Sequence, residues 1–242
     1  MKHGQWIFNR VPKTKGYNKT SRLERQLADT LYQRAKISGA KKYTLNLPRG
    51  TTGNNVIRAL LVQHFPYTWY VGTWYEVEKL PDKTRDLTIK LSVFRKLDKK
   101  NEEVRAKIKE IVKALGITDA TSLIDRARLL AEYVAEHCKY AYEDDERDHE
   151  AWDCLVLGET ICCGYSQGYK ALCDYCDVSC KCVSSYDHMW NRVKIGGRWY
   201  NVDTTWLAQG LAKSRYLLTP DDVFYVDHMK YEKTEAYWKY EG

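Results

Sequence analysis

The sequence predicts an α+β fold, and three observations carry that prediction. Apolar residues recur every three or four positions in several segments before residue 140. A second helical stripe begins near residue 161, and a β-rich stretch centred on a Gly-Gly turn follows it. Helices followed by strands, rather than a regular strand–helix alternation, favour an antiparallel sheet with helices beside it.

The elements can be justified in chain order. Ser21 and Glu24 form a capping box, and Leu23, Leu27 and Leu31 recur every four residues, predicting a helix over 21–36. YTLNL (43–47) reads as a short strand and PRGTTGNN as turn chemistry. VIRALLVQHF (56–65) reads as a helix stopped by Pro66. YTWYVGTWYEVE (67–78) is aromatic and β-prone. DLTIKLSVF alternates Leu87, Ile89, Leu91 and Val93 on one face, predicting a half-buried strand, and LDKKN after it reads as a linker. The expected division is therefore an N-terminal extension over 1–98 and a core over 99–242. Val104, Ile108, Ile111 and Leu115 mark the next helix, with Gly116 suited to its end. Thr121 or Ser122 can cap another, with Ile124, Ala127, Ala131 and Val134 on its buried face. The acidic YEDDERDHE is expected to be a loop.

Composition narrows the class of protein. An apolar content of 44% and a charged content of 29% over 242 residues suit a globular chain with a sizeable core. No stretch approaches 18 consecutive apolar residues, so no membrane-spanning helix is expected. The first residues lack a signal peptide's apolar run, which reads as cytoplasmic, or as extracytoplasmic if a leader has been removed. Residues 1–50 carry 12 Lys and Arg against Glu24 and Asp29. That basic arm is either solubilising or a surface for an anionic partner, and no nucleic-acid motif accompanies it.

All eight cysteines lie in the second half of the chain. Two are adjacent in ETICCGYSQG, residues 159–168. Tyr165, Tyr169, Leu172 and Cys176 share one helical stripe, which places Cys162 in the first turn. A helix N-terminus offers partial positive charge and unpaired N–H groups. Both favour a thiolate, and the same groups can hold an oxyanion. Gly164 and Gly168, four apart, would let that helix approach a neighbouring sheet closely. Cys173, Cys176, Cys180 and Cys182 offer a competing reading as a structural zinc site, with disulfides or reduced packing thiols as further alternatives.

DHMWNRVKIGGRWYNVDTTW (187–206) contains the second half of the chemistry. Gly196-Gly197 is a two-residue hairpin signal, so Ile195 should face Arg198 and His188 should lie opposite Thr205. Asp203 then projects from the same face as His188 on a diagonal of about 7–8 Å, within reach of a hydrogen bond. Met189, Val193, Ile195, Tyr200 and Val202 would form the core face. An aspartate held against a histidine fixes its tautomer and stabilises the imidazolium. Such a histidine can take a proton from a thiol and return one to a leaving amine.

ICCGYSQGYKALC, DHMWNRVKI and GRWYNVDTTW, in this order and spacing, resemble the three motifs of the transglutaminase-like superfamily. The likeness covers about residues 120–230 and extends weakly to HFPYTWYVGTWYEVE, which is similar to a segment of bacterial members. The resemblance implies a papain-like core, an antiparallel sheet carrying a packed catalytic helix. It also implies a Cys162–His188–Asp203 triad, and thioester chemistry at a glutamine side chain or peptide amide, with no cofactor and no metal. Met189 stands where a small residue is more usual. Tyr165, Trp190, Asn191 and Trp206 would support the triad from behind. His149 and His228 read as surface or supporting groups rather than catalytic ones. The implied partner is a protein or peptide substrate, and a peptidase or amidase outcome is favoured over cross-linking. The competing classes are a catalytically inactive binding module and the zinc-binding protein described above.

Overall fold

The computed structural model describes residues 20–67, 74–82, 84–142, 149–228 and 233–234, the last two by backbone alone. The first nineteen residues of the basic arm, much of the aromatic segment 67–78 and most of the acidic loop lie outside the described residues. Contacts divide the chain into two compact units, with the division between Glu102 and Glu103.

The N-terminal unit contains helices α1 (Arg22–Ile37) and α2 (Gly53–His64) and strands β1 (Lys42–Leu47), β2 (Tyr75–Lys79) and β3 (Arg85–Lys90). The strands form an antiparallel sheet in the order β1-β3-β2. The capping box forms as expected: Glu24 N–H donates to Ser21 Oγ at 3.1 Å, and Ser21 N–H donates to Glu24 Oε2 at 2.8 Å. Glu24 also accepts from the Thr52 N–H and the Asn55 amide, both at 3.0 Å, so one carboxylate ties together the starts of two helices. This draws the buried face of α1 round to Glu24, Ala28, Leu31, Tyr32 and Ala35, leaving Leu23 exposed.

One expected strand is cut short. β3 ends at Lys90, and helix α3 (Leu91–Ala114) begins at the next residue. Leu91 and Val93 are therefore helical, and LDKKN is a stretch of helix interior rather than a linker. The reason is a continuous 3–4 spacing of buried residues, Leu91, Phe94, Leu97, Asn101, Val104 and Ile108, with no breaker among them. Gly116, at φ +63, ends the run.

The C-terminal unit is the α+β arrangement that the sequence predicts. Ser122 caps α4 (Leu123–His137) through the Asp125 N–H. Its buried face is Arg126, Ala127, Leu130, Ala131 and Val134, so Ile124 points outward. Two-residue strands β4 (Lys139–Tyr140) and β5 (Glu159–Thr160) flank a π-helical turn, Asp153–Leu157. Then come α5 (Cys162–Tyr175), β6 (Ser179–Ser184), β7 (Met189–Ile195), β8 (Arg198–Val202), α6 (Thr204–Ala208), α7 (Lys213–Tyr216), β9 (Leu217–Thr219), α8 (Asp221–Phe224) and β10 (Lys233–Thr234). The main sheet runs β10-β6-β7-β8-β9, with every pairing antiparallel. Helix α5 packs on β6 and β7. No helix among the described residues is long and apolar enough to cross a membrane.

Candidate active site

The hairpin has the expected register. Ile195 pairs with Arg198 and Asn191 with Val202, across a turn whose glycines sit at φ +56 and +83. The ladder stops short of the site, however. His188 lies one residue before β7, and Thr205 is in helix α6 rather than opposite His188. Asp203 is the N-cap of α6, where its Oδ1 accepts from the Trp206 N–H at 3.0 Å. Its own N–H donates to the Tyr216 carbonyl at 2.9 Å. The carboxylate still meets the imidazole: His188 Nε2 lies 2.6 Å from Asp203 Oδ2.

Asp203 is fully buried, and burial alone would raise its pKa. Hydrogen bonds from His188 and His228 outweigh that and hold it below the ordinary carboxylate range. For His188, burial pulls the pKa down, but the hydrogen bond to Asp203, helped by Cys162 and by both groups' negative charge, raises it to about 10. Cys162 thus acts on His188, although no hydrogen bond of ordinary geometry ends on its sulfur among the described residues. Catalytic hydrogen bonds are often long in a substrate-free site and tighten on binding.

Cys162 is the first residue of α5, half-buried, and Ile161 before it provides no side-chain cap. The opening N–H groups of the helix are therefore left without the usual side-chain acceptor. Cys163 points elsewhere, donating to the His149 carbonyl at 3.5 Å. Gly164 and Gly168 face Thr160 and Cys154 rather than the main sheet: a Cβ on Gly164 would come within 2.1 Å of Thr160 Oγ1.

The four residues expected to support the triad separate into two pairs. Trp190 stacks near His188 with ring centroids 6.0 Å apart, and its Nε1 donates to Asn201 Oδ1 at 3.1 Å. Trp206 lies 5.7 Å from the same imidazole. Tyr165 and Asn191 do not join the His188–Asp203 pair. Tyr165 donates to the Cys138 carbonyl at 2.5 Å, and Asn191 to the Ser166 carbonyl at 2.9 Å, so both anchor α5 instead.

His228 is the residue that the sequence undervalued. It is buried, and its Nε2 lies 2.9 Å from Asp203 Oδ2, the oxygen that also binds His188. His149 is buried as well, with Nδ1 3.1 Å from Thr160 Oγ1. Cys173, Cys176, Cys180 and Cys182 form no disulfide, and among the described residues they are not a group of potential metal ligands. Among the described residues the one group of three potential metal ligands is His188, Asp203 and His228, within 4.8 Å of one another. Both ring nitrogens there are already hydrogen-bonded to the carboxylate oxygen.

With that geometry in view, residues 109–204 match the family model of the transglutaminase-like superfamily. Kyphoscoliosis peptidase of Mus musculus is 29% identical over 177 residues, covering 60% of this chain and 26% of the relative. The Homo sapiens protein of the same name is 27% identical over 169 residues, covering 60% and 25%. The chain thus spans about a quarter of the length of these relatives. A crystal structure of a TGase aligns with 63% of this chain and 49% of its own, at 12% identity and a TM-score of 0.36.

Proposed function

We propose that this chain performs thiol-dependent acyl transfer or hydrolysis at amide bonds, with Cys162 as nucleophile, His188 as base and then acid, and Asp203 as its orienter. The observation that carries the reading is the 2.6 Å contact between the His188 ring and a fully buried Asp203 carboxylate. A lone surface histidine would have no need of a desolvated anion. The negative charge holds the His188 proton on Nε2 and supports an imidazolium when the other nitrogen accepts the Cys162 proton.

The thiolate then attacks the amide carbonyl. The N–H groups at the start of α5, which lack a side-chain cap, would receive the oxyanion. Collapse breaks the C–N bond, and His188 returns its proton to the departing amine, leaving a thioester on Cys162. Water or a second amine resolves the thioester and regenerates the thiol. Hydrolysis is the favoured outcome, in keeping with the name of the two mammalian relatives.

Intact-mass trapping with a glutamine-peptide library tests the reading. Wild type should accumulate an acyl adduct, and Cys162→Ala should not. An adduct on Cys162→Ala would exclude Cys162 as the nucleophile.

A further inference from the structure

We infer that His228 is a positioning residue of this site: with its Nε2–H on Asp203 Oδ2 and its ring boxed by aromatics, it fixes the carboxylate that His188 depends on. The inference rests on the functional reading above and adds a fourth member to the site.

Three donors converge on Asp203. His188 and His228 share Oδ2 at 2.6 and 2.9 Å, and the Trp206 N–H holds Oδ1 at 3.0 Å. A fully buried carboxylate held on both oxygens cannot rotate about its Cβ–Cγ bond without losing hydrogen bonds. His228 cannot easily move either. Its ring centroid lies 3.9 Å from those of both Trp206 and Phe224, with Tyr216 at 5.5 Å and Trp190 at 5.6 Å. Four rings, from β7, α6, α7 and α8, therefore build one box around a single imidazole.

That box is costly for a polar ring unless its polar atoms have a use. Nε2 binds Asp203 Oδ2, whereas Nδ1 comes only to ion-pair distance of Asp227 Oδ1, at 3.5 Å, and makes no hydrogen bond. Asp227 is itself held by Arg215 at 2.6 Å and by the Tyr216 hydroxyl at 2.8 Å. The charged and titratable groups facing this cluster are thus His188, Cys162 beyond it, Asp227, Arg215 and Tyr216. Within that set His228 is the second donor that keeps a fully buried Asp203 ionised. Removing its N–H while keeping its shape should let Asp203 take up a proton at higher pH, which withdraws support from the His188 imidazolium.

The experiment follows carbamidomethylation of Cys162 by iodoacetamide from acid to mildly alkaline pH, in the full chain. His228→Phe keeps the ring and loses the donor, whereas His228→Gln puts an amide N–H near the place of Nε2. His228→Phe should move the acid limb of the profile upward by about one pH unit, the scale of one hydrogen bond to a charge. His228→Gln should restore most of it. An unmoved limb in His228→Phe, or equal displacement in both variants, overturns the inference. If His228→Phe does not fold, nitrogen-15 histidine spectra of the wild type decide: a slowly exchanging proton on His228 Nε2 supports the inference, and an unprotonated Nε2 overturns it. A wild-type Cys162 no more reactive than an ordinary thiol would instead count against the catalytic reading, and the histidine spectra would still judge His228 separately.

Discussion

Arg126 reaches from α4 to the end of the cysteine helix, its Nη1 donating to the Cys176 carbonyl at 2.9 Å. The same guanidinium donates to the carbonyls of Thr118, Asp119 and Thr121 at 2.9 to 3.1 Å. One cation thus neutralises the negative end of α5 and closes the loop before α4. The clamp ties the C-terminal end of the cysteine helix to the start of α4.

Arg126→Met keeps the apolar stem and removes the donors. The Cys176 carbonyl, enclosed by the core, would lose its charged partner, at a cost of about 2–3 kcal/mol. Urea unfolding should show that loss. Arg128→Met, two residues on, removes an exposed pair with Asp125 and should leave the midpoint unchanged.

Gly164→Ala tests the close approach of α5 to the segment before it. The added methyl would lie 2.1 Å from Thr160 Oγ1 and 2.6 Å from its Cγ2, on a threonine that is wholly buried and cannot swing into solvent. The gain in helix propensity is about 1 kcal/mol, and overpacking costs about 1–3 kcal/mol or more, so the clash should win. A lowered unfolding midpoint is the expected result. A midpoint equal to or above that of wild type would mean that Thr160 yields freely.

The His188–Asp203 pair should leave a signature in the pH dependence of stability. The folded chain holds the His188 proton up to about pH 10, whereas an ordinary histidine releases it near 6.5. Between those values the folded state binds more protons than the unfolded state, so stability falls as pH rises. The His188 contribution is complete below pH 6.5 and is lost through about pH 10. Asp203 has the opposite sign: its contribution is present above its unfolded pKa and is lost as pH falls through the depressed folded value. Asp203→Asn removes the anion, so the decline on the alkaline side should flatten. Denaturant unfolding across neutral to alkaline pH measures it, and an unchanged slope in the variant would separate His188 from Asp203.

The site was legible in the sequence where local chemistry decides structure. Gly196-Gly197 fixes a turn, the turn fixes the register, and the register brings His188 and Asp203 towards each other. The pairing did not run as far as the alternation suggested, because Asp203 caps α6 and its side chain reaches the imidazole from a helix start. The junction at Lys90–Leu91 was misread for a related reason. Leu87 and Ile89 alternate as a strand, Leu91, Phe94 and Leu97 recur as a helix, and no glycine or proline marks the change. Arg126 was not legible at all, and His228 only as a surface or supporting group. The partners that tie them to the site, Cys176 and Asp203, lie 50 and 25 residues away, which no local pattern reveals.

Thiol reactivity should separate Cys162 from the other seven cysteines. Cys138, Cys154, Cys173, Cys176 and Cys182 are buried, leaving Cys162, Cys163 and Cys180 half-exposed. Burial, with the nearby Cys173 thiol, pushes the Cys180 pKa well above the ordinary thiol value, so it stays protonated. Cys163 donates to the His149 carbonyl, and a thiolate there would face a carbonyl oxygen. Cys162 alone combines access, a helix N-terminus and a basic imidazole that it influences. Limited iodoacetamide at mildly acidic pH, read by peptide mass, should therefore mark Cys162 first. Asp203→Asn should slow that labelling roughly tenfold or more, because an imidazolium without its carboxylate is a weaker partner for a thiolate. Equal labelling of Cys163 or Cys180 would mean that access alone, and not the neighbouring imidazole, governs these sulfurs.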